Sequence, residues 1–289
     1  MDLIALSDIY GDVDALKELI ERLGSEGKEK RMFVVAGDIG IMLNHQEYSE
    51  IFLLLANSSK YVLYVPGDAD IKNLNVNLPN VINLDRSNFF LQDNGVKLGF
   101  LGLGGAPKHS VREDESLPNT YDESTQVVID GILSSLKINL EKVMHNNPDL
   151  LILVTHSPPY GIADRSTQIT LKEFVILEEI LLDTEYKEEK GKRATMNPRR
   201  LGSKAIKEFV DYYKPDIHIF GHVHKQGGKV IQEDGRYFFN VSHFSLMPYK
   251  LTGRKFLKIR IKEEGKFGHS FDSLVIKELY FKDFLERYL

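Results

Sequence analysis

Six apolar runs in this chain end on a carboxylate or an imidazole. LIALS runs into Asp8, FVVAG into Asp38 and YVLYVPG into Asp68, while LILVT runs into His156, IHIFG into His222 and His224, and FFNVS into His243. In layered α/β proteins ligands bind beyond the carboxyl ends of the strands, so side chains placed there in series can converge on one crevice. A single aspartate after a strand is ordinary turn or helix-cap chemistry, and a single histidine is more often a packing residue. Asp12 or Asp14 can cap the first helix, which leaves Asp8 for another task. The whole series exceeds that account. Oxygen and nitrogen donors without sulfur suit manganese, iron or zinc in a binuclear site. The chain has no cysteine, which excludes disulfides, thiolate-zinc sites and thiol nucleophiles.

These residues need strands to carry them and helices to cover the strands. Runs rich in β-branched and aromatic residues predict strands at residues 3–6, 32–35, 61–65, 96–103, 150–154, 217–220, 237–241 and 256–261. Helical spacing predicts helices at 13–23, with Leu16, Leu19, Ile20 and Leu23 on one face, and at about 48–56, 123–144 and 203–213. A polar turn and an amphipathic end segment, 274–289, complete the chain. Alternating strands and helices followed by a strand-rich tail imply a layered α/β fold.

The 289 residues are 42% hydrophobic and 27% charged, which suffices for a sizeable core. Lys and Arg total 37 against 42 Asp and Glu, a net charge of -5. That balance argues against a protein that grips long nucleic acid, which needs a concentrated basic face. No stretch approaches the roughly 18 apolar residues of a membrane span. Acids at Asp2 and Asp8 stand where a signal peptide has a basic start and an apolar run. The expectation is a soluble, cytoplasmic protein with no membrane partner.

The ordered series Asp8-Ile-Tyr10-Gly11, Gly37-Asp38-Ile-Gly40, Gly67-Asp68-Ala69-Asp70, Thr155-His156 and Gly221-His222-Val-His224 resembles the calcineurin-like metallophosphoesterases. It spans about residues 3–243. The segment His156-Ser-Pro-Pro-Tyr160-Gly161, followed by Asp164, is similar to small phosphodiesterase-like members. The resemblance implies a four-layer α/β/β/α sandwich of two mixed sheets flanked by helices. The expected organisation is one domain over 1–289, with a charged insertion at about 184–200 and a C-terminal strand/helix extension at about 248–289. The resemblance also implies two divalent cations, manganese first, with iron or zinc as alternatives. Asp38 would bridge them, Asp8 and His224 would belong to the first, and Asp68, His156 and His222 to the second. The implied reaction is hydrolysis of a small phosphodiester or nucleotide-like substrate by a hydroxide that the metals activate.

Three positions depart from the family pattern. Tyr10 replaces the histidine of the usual Asp-x-His. It either packs beside the site as a neutral phenol or binds ferric iron as a phenolate. Asp68 replaces the usual asparagine, keeping the ligating oxygen and adding a charge that repels a dianionic monoester more than a monoanionic diester. Ala69 stands where many relatives carry a histidine that assists the leaving group, and losing a general acid costs about 10²–10⁴-fold. Asp70, His109 and His243 are the remaining candidates for that catalytic work, with surface or packing roles the alternative for the two histidines.

The segment from Asp164 to Gly202 carries Lys187-Glu-Glu-Lys190-Gly-Lys192-Arg193 and Asn197-Pro-Arg199-Arg200. It is either a solvated loop or a lid or rim that brings Lys192, Arg193, Arg199 or Arg200 to an anionic substrate, the planar guanidinium fork favouring the arginines. Tyr10 and Tyr160 are further candidates for lining the substrate pocket. Gly202-Ser203 begins a helix whose N-terminus is a weak anion site. The end segment docks on the body or forms a homo-oligomer interface. A second functional reading competes with the hydrolase. In it the chain is a catalytically silent, protein-binding scaffold, as the retromer small subunit is on a related fold, which Tyr10 and Ala69 would suit.

Overall fold

The computed structural model describes residues 1–40, 45–108, 117–166, 199–242, 244, 254–261 and 267–274. Its strands are built so that alternate residues enter different hydrophobic layers. Along β1 (Asp2–Leu6) and β2 (Arg31–Ala36), Leu3, Ala5, Met32, Val34 and Ala36 enter one cluster, and Ile4, Leu6, Phe33 and Val35 enter another. This is the period-two signature of strands covered on both faces.

The next strands are β3 (Tyr61–Val65), β4 (Val81–Asn83), β5 (Asn88–Asp93), β6 (Val96–Leu103), β7 (Ala106–Pro107) and β8 (Thr120–Tyr121). They are followed by β9 (Leu150–Thr155), β10 (Arg165–Ser166), β11 (Arg199–Arg200), β12 (Ile217–Phe220), β13 (Val230–Glu233), β14 (Arg236–Asn240), β15 (Arg254–Ile261) and β16 (Phe267–Leu274). The first six-stranded sheet has the order β16-β15-β1-β2-β3-β4 and the second β13-β14-β12-β9-β6-β5. Both are mixed. β1 through β4 pair in parallel, with β15 and β16 added antiparallel. β6, β9, β12 and β14 pair in parallel, with antiparallel edges β5 and β13. Part of the anticipated C-terminal extension thus widens the first sheet, while 275–289 and most of the charged insertion lie outside the described residues. On either side of residues 167–198, β10 and β11 pair antiparallel, Arg165 opposite Arg200 and Ser166 opposite Arg199.

Helices α1 (Val13–Leu23) and α2 (His45–Asn57) cover the first sheet, and α3 (Gln126–Met144) and α4 (Lys204–Tyr213) cover the second. Between the sheets lies a core that includes Leu63, Phe100, Ile152, Ile219 and Phe239. The sequence of layers is therefore helix, sheet, sheet, helix. Asp12 caps α1 by accepting from the Ala15 N–H at 3.0 Å, and Gly24 ends it at φ 67°. Leu16 and Leu19 of α1 are fully buried, each contributing about 1.5–3 kcal/mol. α3 starts at Gln126 rather than at Glu123, because the Glu123 carboxylate is engaged at the start of α4. It accepts from Ser203 Oγ at 2.5 Å, Lys204 N–H at 2.7 Å and Ala205 N–H at 3.2 Å. The anion site anticipated at that helix start is filled by the protein itself. Among the described residues no helix is long and apolar enough to cross a membrane.

Candidate metal centre

β1, β2 and β3 run parallel side by side, so the loops that follow them meet at one rim. Asp8, Asp38 and Asp68 lie in those loops, all buried. The first two loops interlock through the backbone, with Asp8 N–H donating to Gly37 O at 2.9 Å and Tyr10 N–H to Asp38 O at 3.0 Å. Asp8 (φ 59°), Tyr10 (φ 49°) and Asp38 (φ 50°) are held in the left-handed region, a conformation that costs non-glycine residues of order 1–3 kcal/mol and clusters at functional sites. A Cβ on Gly67 would collide with the Asp38 carboxylate. Glycine there lets the second and third acids approach.

The second sheet delivers the imidazoles. β9 and β12 pair in parallel and lead to His156 and to His222 and His224, with His222 also left-handed at φ 68°. His156 Nδ1 lies 2.8 Å from the carbonyl oxygen of Ala36. A carbonyl only accepts, so Nδ1 carries the proton and Nε2 turns toward Asp68 Oδ1 at 2.8 Å and Asp38 Oδ2 at 3.5 Å. Gly37 (φ 89°) makes this possible, since a Cβ there would strike the His156 ring. His222 Nδ1 approaches Asp68 Oδ1 at 3.3 Å.

A neutral imidazole lone pair facing a carboxylate oxygen sets two acceptors against each other. A positive charge between them, proton or cation, resolves the conflict. Burial alone would depress the His156 pKa, but Asp38 and Asp68 outweigh it and hold the value well above the ordinary imidazole range. Burial would likewise raise Asp68, and His222 and His156 outweigh it, holding the carboxyl well below its usual range. The donor atoms of Asp68, His156 and His222 lie within 4.8 Å of one another, as do those of Asp8, Asp38 and His156. Two carboxylate-imidazole groups that share His156 are the chemistry of a hard to borderline divalent cation.

The other implied ligand, His224, sits differently. Its Nε2 lies 2.9 Å from Asp8 Oδ1 and 3.0 Å from the hydroxyl of Tyr10, which itself donates to Asp38 Oδ2 at 2.9 Å. The phenol occupies the middle of Asp8, Asp38 and His224, so this set does not fit a cation as it stands. Burial first, then the carboxylates of Asp38, Asp8 and Asp68, hold the Tyr10 pKa well above the ordinary phenol value. Tyr10 is a neutral donor in this arrangement.

The remaining candidates separate. Asp70 is fully buried and accepts from Gly40 N–H at 2.8 Å, Gly67 N–H at 2.7 Å and Tyr48 Oη at 2.9 Å. It clamps two site loops to α2. Burial, then repulsion from Asp38, pushes its pKa up to about 6. Tyr160 is 40% exposed and carries the Arg200 guanidinium over its ring at 5.0 Å, while Arg200 also pairs with Asp164 at 3.1 Å. Arg199 is placed by its backbone in β11. His109 and His243 lie outside the described residues. Sequence reading misses His218, whose Nε2 lies 2.8 Å from Thr155 Oγ1, which in turn donates to Ser157 O at 2.6 Å. This pair braces the turn that aims His156. In an apolar run, IHIF, nothing distinguishes such a histidine from a core residue.

A solved structure of similar fold superposes on the chain at a TM-score of 0.56, with 15% identity, covering 93% of this chain and 98% of the other. TT1561 of Thermus thermophilus superposes at 0.52, with 12% identity and coverage of 93% and 97%. The phosphopantetheinyl hydrolase of Mycobacterium tuberculosis gives 0.49, with 16% identity and coverage of 83% and 88%. No curated protein sequence matches. At these identities the likeness concerns the fold. The sequence profile of the calcineurin-like phosphoesterases matches residues 1–226, a stretch that contains Asp8, Asp38, Asp68, His156, His222 and His224, and the chain belongs to that family.

Proposed function

We propose that this protein is a metal-dependent hydrolase of a small phosphodiester or nucleotide-like substrate. The observation that carries the reading is the buried confrontation of His156 Nε2 with Asp68 Oδ1 at 2.8 Å, which calls for a positive charge where His222 and Asp38 also converge. Asp38, Asp68, His156 and His222 would hold a divalent cation, with Asp8 and His224 the family's ligands for a further one. Manganese is the first choice, with iron or zinc as alternatives, since the donors are oxygen and nitrogen. When bound, such a cation supplies Lewis acidity that lowers the pKa of water and screens the charge on a phosphoryl group.

The chain's own residues set the selectivity. Asp8, Asp38 and Asp68 put three carboxylates on one rim, which repels a dianionic monoester more than a monoanionic diester. Tyr160 with Arg200 over its ring forms an aromatic and cationic pair suited to a nucleobase or a phosphate oxygen. The test is hydrolysis of bis(p-nitrophenyl) phosphate and p-nitrophenyl phosphate by the Mn²⁺-reconstituted chain, before and after chelation. Faster diester cleavage that chelation abolishes is expected. A folded chain that retains no metal would overturn the reading and favour the protein-binding scaffold.

A further inference from the structure

The two halves of the rim differ in what lies among their donor atoms. Around Tyr10 every facing group has a match. The Tyr10 hydroxyl lies 2.9 Å from Asp38 Oδ2, 3.0 Å from His224 Nε2 and 3.4 Å from Asp8 Oδ1. A carboxylate only accepts, so Tyr10 gives its proton to Asp38, and the His224 Nε2 that faces Asp8 Oδ1 at 2.9 Å is itself a donor. Asp8 Oδ2 accepts from the His222 backbone N–H at 3.3 Å. The Tyr10 ring meets His224 edge-on, with centroids 5.6 Å apart, and its backbone N–H is tied to Asp38 O, so the phenol is fixed from both ends. His224 accordingly joins neither group of donor atoms lying within 4.8 Å of one another, whereas His156 joins both. Around Asp68 no hydroxyl intervenes, and His156 Nε2 and His222 Nδ1 approach the same Asp68 Oδ1 at 2.8 and 3.3 Å.

We infer, on the metallohydrolase reading of this same site, that the Tyr10 hydroxyl takes the place of a first cation, so that the chain holds a single divalent ion at Asp68, His156 and His222 beside Asp38. With one dication among three carboxylates the rim keeps a net negative charge, and a monoanionic diester is the substrate class it tolerates best. Tyr10 is then a positioning residue. It holds Asp38 and His224 in the arrangement that a second ion would otherwise impose.

The probe is Mn²⁺ alone, added in excess to the full chain and followed by buffer exchange, elemental analysis and electron paramagnetic resonance. The wild type is expected to retain about one equivalent and to show the hyperfine sextet of an isolated ion, while Tyr10→His rises to about two equivalents with the exchange-coupled spectrum of ions roughly 3.5–4 Å apart. Two coupled ions in the wild type would overturn the inference and leave the hydrolase reading standing. One ion in both chains would equally show that Tyr10 does not stand in for a cation. No ion in a wild-type chain shown to be folded by circular dichroism would overturn the hydrolase reading itself. The wild-type count decides the stoichiometry even if Tyr10→His does not fold. A tyrosinate charge-transfer band after loading with ferric iron would make Tyr10 a ligand and overturn its role as a space-filling donor.

Discussion

The two sheets make unlike contributions to the rim. The first sheet brings the carboxylates Asp8, Asp38 and Asp68 and the Tyr10 phenol, from loops after three adjacent parallel strands; backbone hydrogen bonds tie the first two loops, and Ala69 N–H ties the third to the Asp38 carboxylate. The second brings only imidazoles, His156, His222 and His224, from β9 and β12. Alone, the acidic half is a cluster of like charges, and the imidazole half is a set of weak bases with little to orient them. One contact that joins the halves is His156 Nδ1–H to Ala36 O at 2.8 Å, a bond from the second sheet to the last residue of β2, beside those of His156, His222 and His224 to Asp68 and Asp8. The site therefore exists only when the sheets are packed. Binding of a cation at these residues would therefore be coupled to the packing of the sandwich.

Asp38, which faces both groups, is the residue whose loss should break this complementarity most completely. Asp38→Asn is expected to lower metal-dependent hydrolysis by at least about 10²-fold with an unchanged circular dichroism spectrum, and full activity would remove it from the centre. On the imidazole side, His222→Ala should weaken Mn²⁺ affinity by about 10–100-fold or more, measured by calorimetry. The same change should shrink the rise in melting temperature that Mn²⁺ gives the wild type, since a ligand bound only by the folded chain stabilises it. The seam between the halves can be strained directly. Gly37→Ala must place a Cβ against the His156 ring at a φ of 89° and should destabilise the fold by about 1–3 kcal/mol in urea.

A further effect, confined to acid pH, lies beneath the imidazole half. Burial pushes the His218 pKa down to about 3, whereas the unfolded residue titrates near 6.5. Between those values the unfolded chain binds the extra proton, so this contribution to stability is intact above about pH 6.5 and is lost as pH falls toward 3. The slope is at most about 1.4 kcal/mol per pH unit. Urea midpoints measured across that window should fall less steeply in His218→Phe than in the wild type. Parallel curves would assign the acid sensitivity to other groups.

What is legible in the sequence follows the same division between satisfied and unsatisfied chemistry. Strands at 61–65, 96–103 and 217–220 and the helix at 13–23 coincide with the observed elements, because uninterrupted burial writes apolar runs and a helical stripe into the chain. β5 and β13 carry no such signal. They are edge strands with partly exposed, polar-containing sequences, NFFLQD and VIQE, and they are strands because a neighbour offers a ladder. β16 falls where the sequence reads only as a polar turn and an end segment. At the site, the acids and imidazoles announce themselves by type and position at strand ends. The place of Tyr10 among Asp8, Asp38 and His224 does not, nor does the capture of Arg200 by Asp164 or of the α4 terminus by Glu123. Those depend on which distant donor reaches a given acceptor, and no periodicity encodes that.

The pairing of β10 with β11 bears on how the molecule can be taken apart. Arg165 and Arg200 face each other across a two-residue ladder, so the two described residues that flank 167–198, Ser166 and Arg199, are paired neighbours. Closing a shorter loop across two ends already held together costs little entropy, and an Asn-Gly hairpin turn is the natural bridge between antiparallel neighbours. A chain in which such a turn replaces residues 167–198 is expected to fold and to keep its Mn²⁺ content. Loss of the fold in that chain would show that residues 167–198 contribute to it, and any shift in Mn²⁺ content would place them at the proposed metal centre.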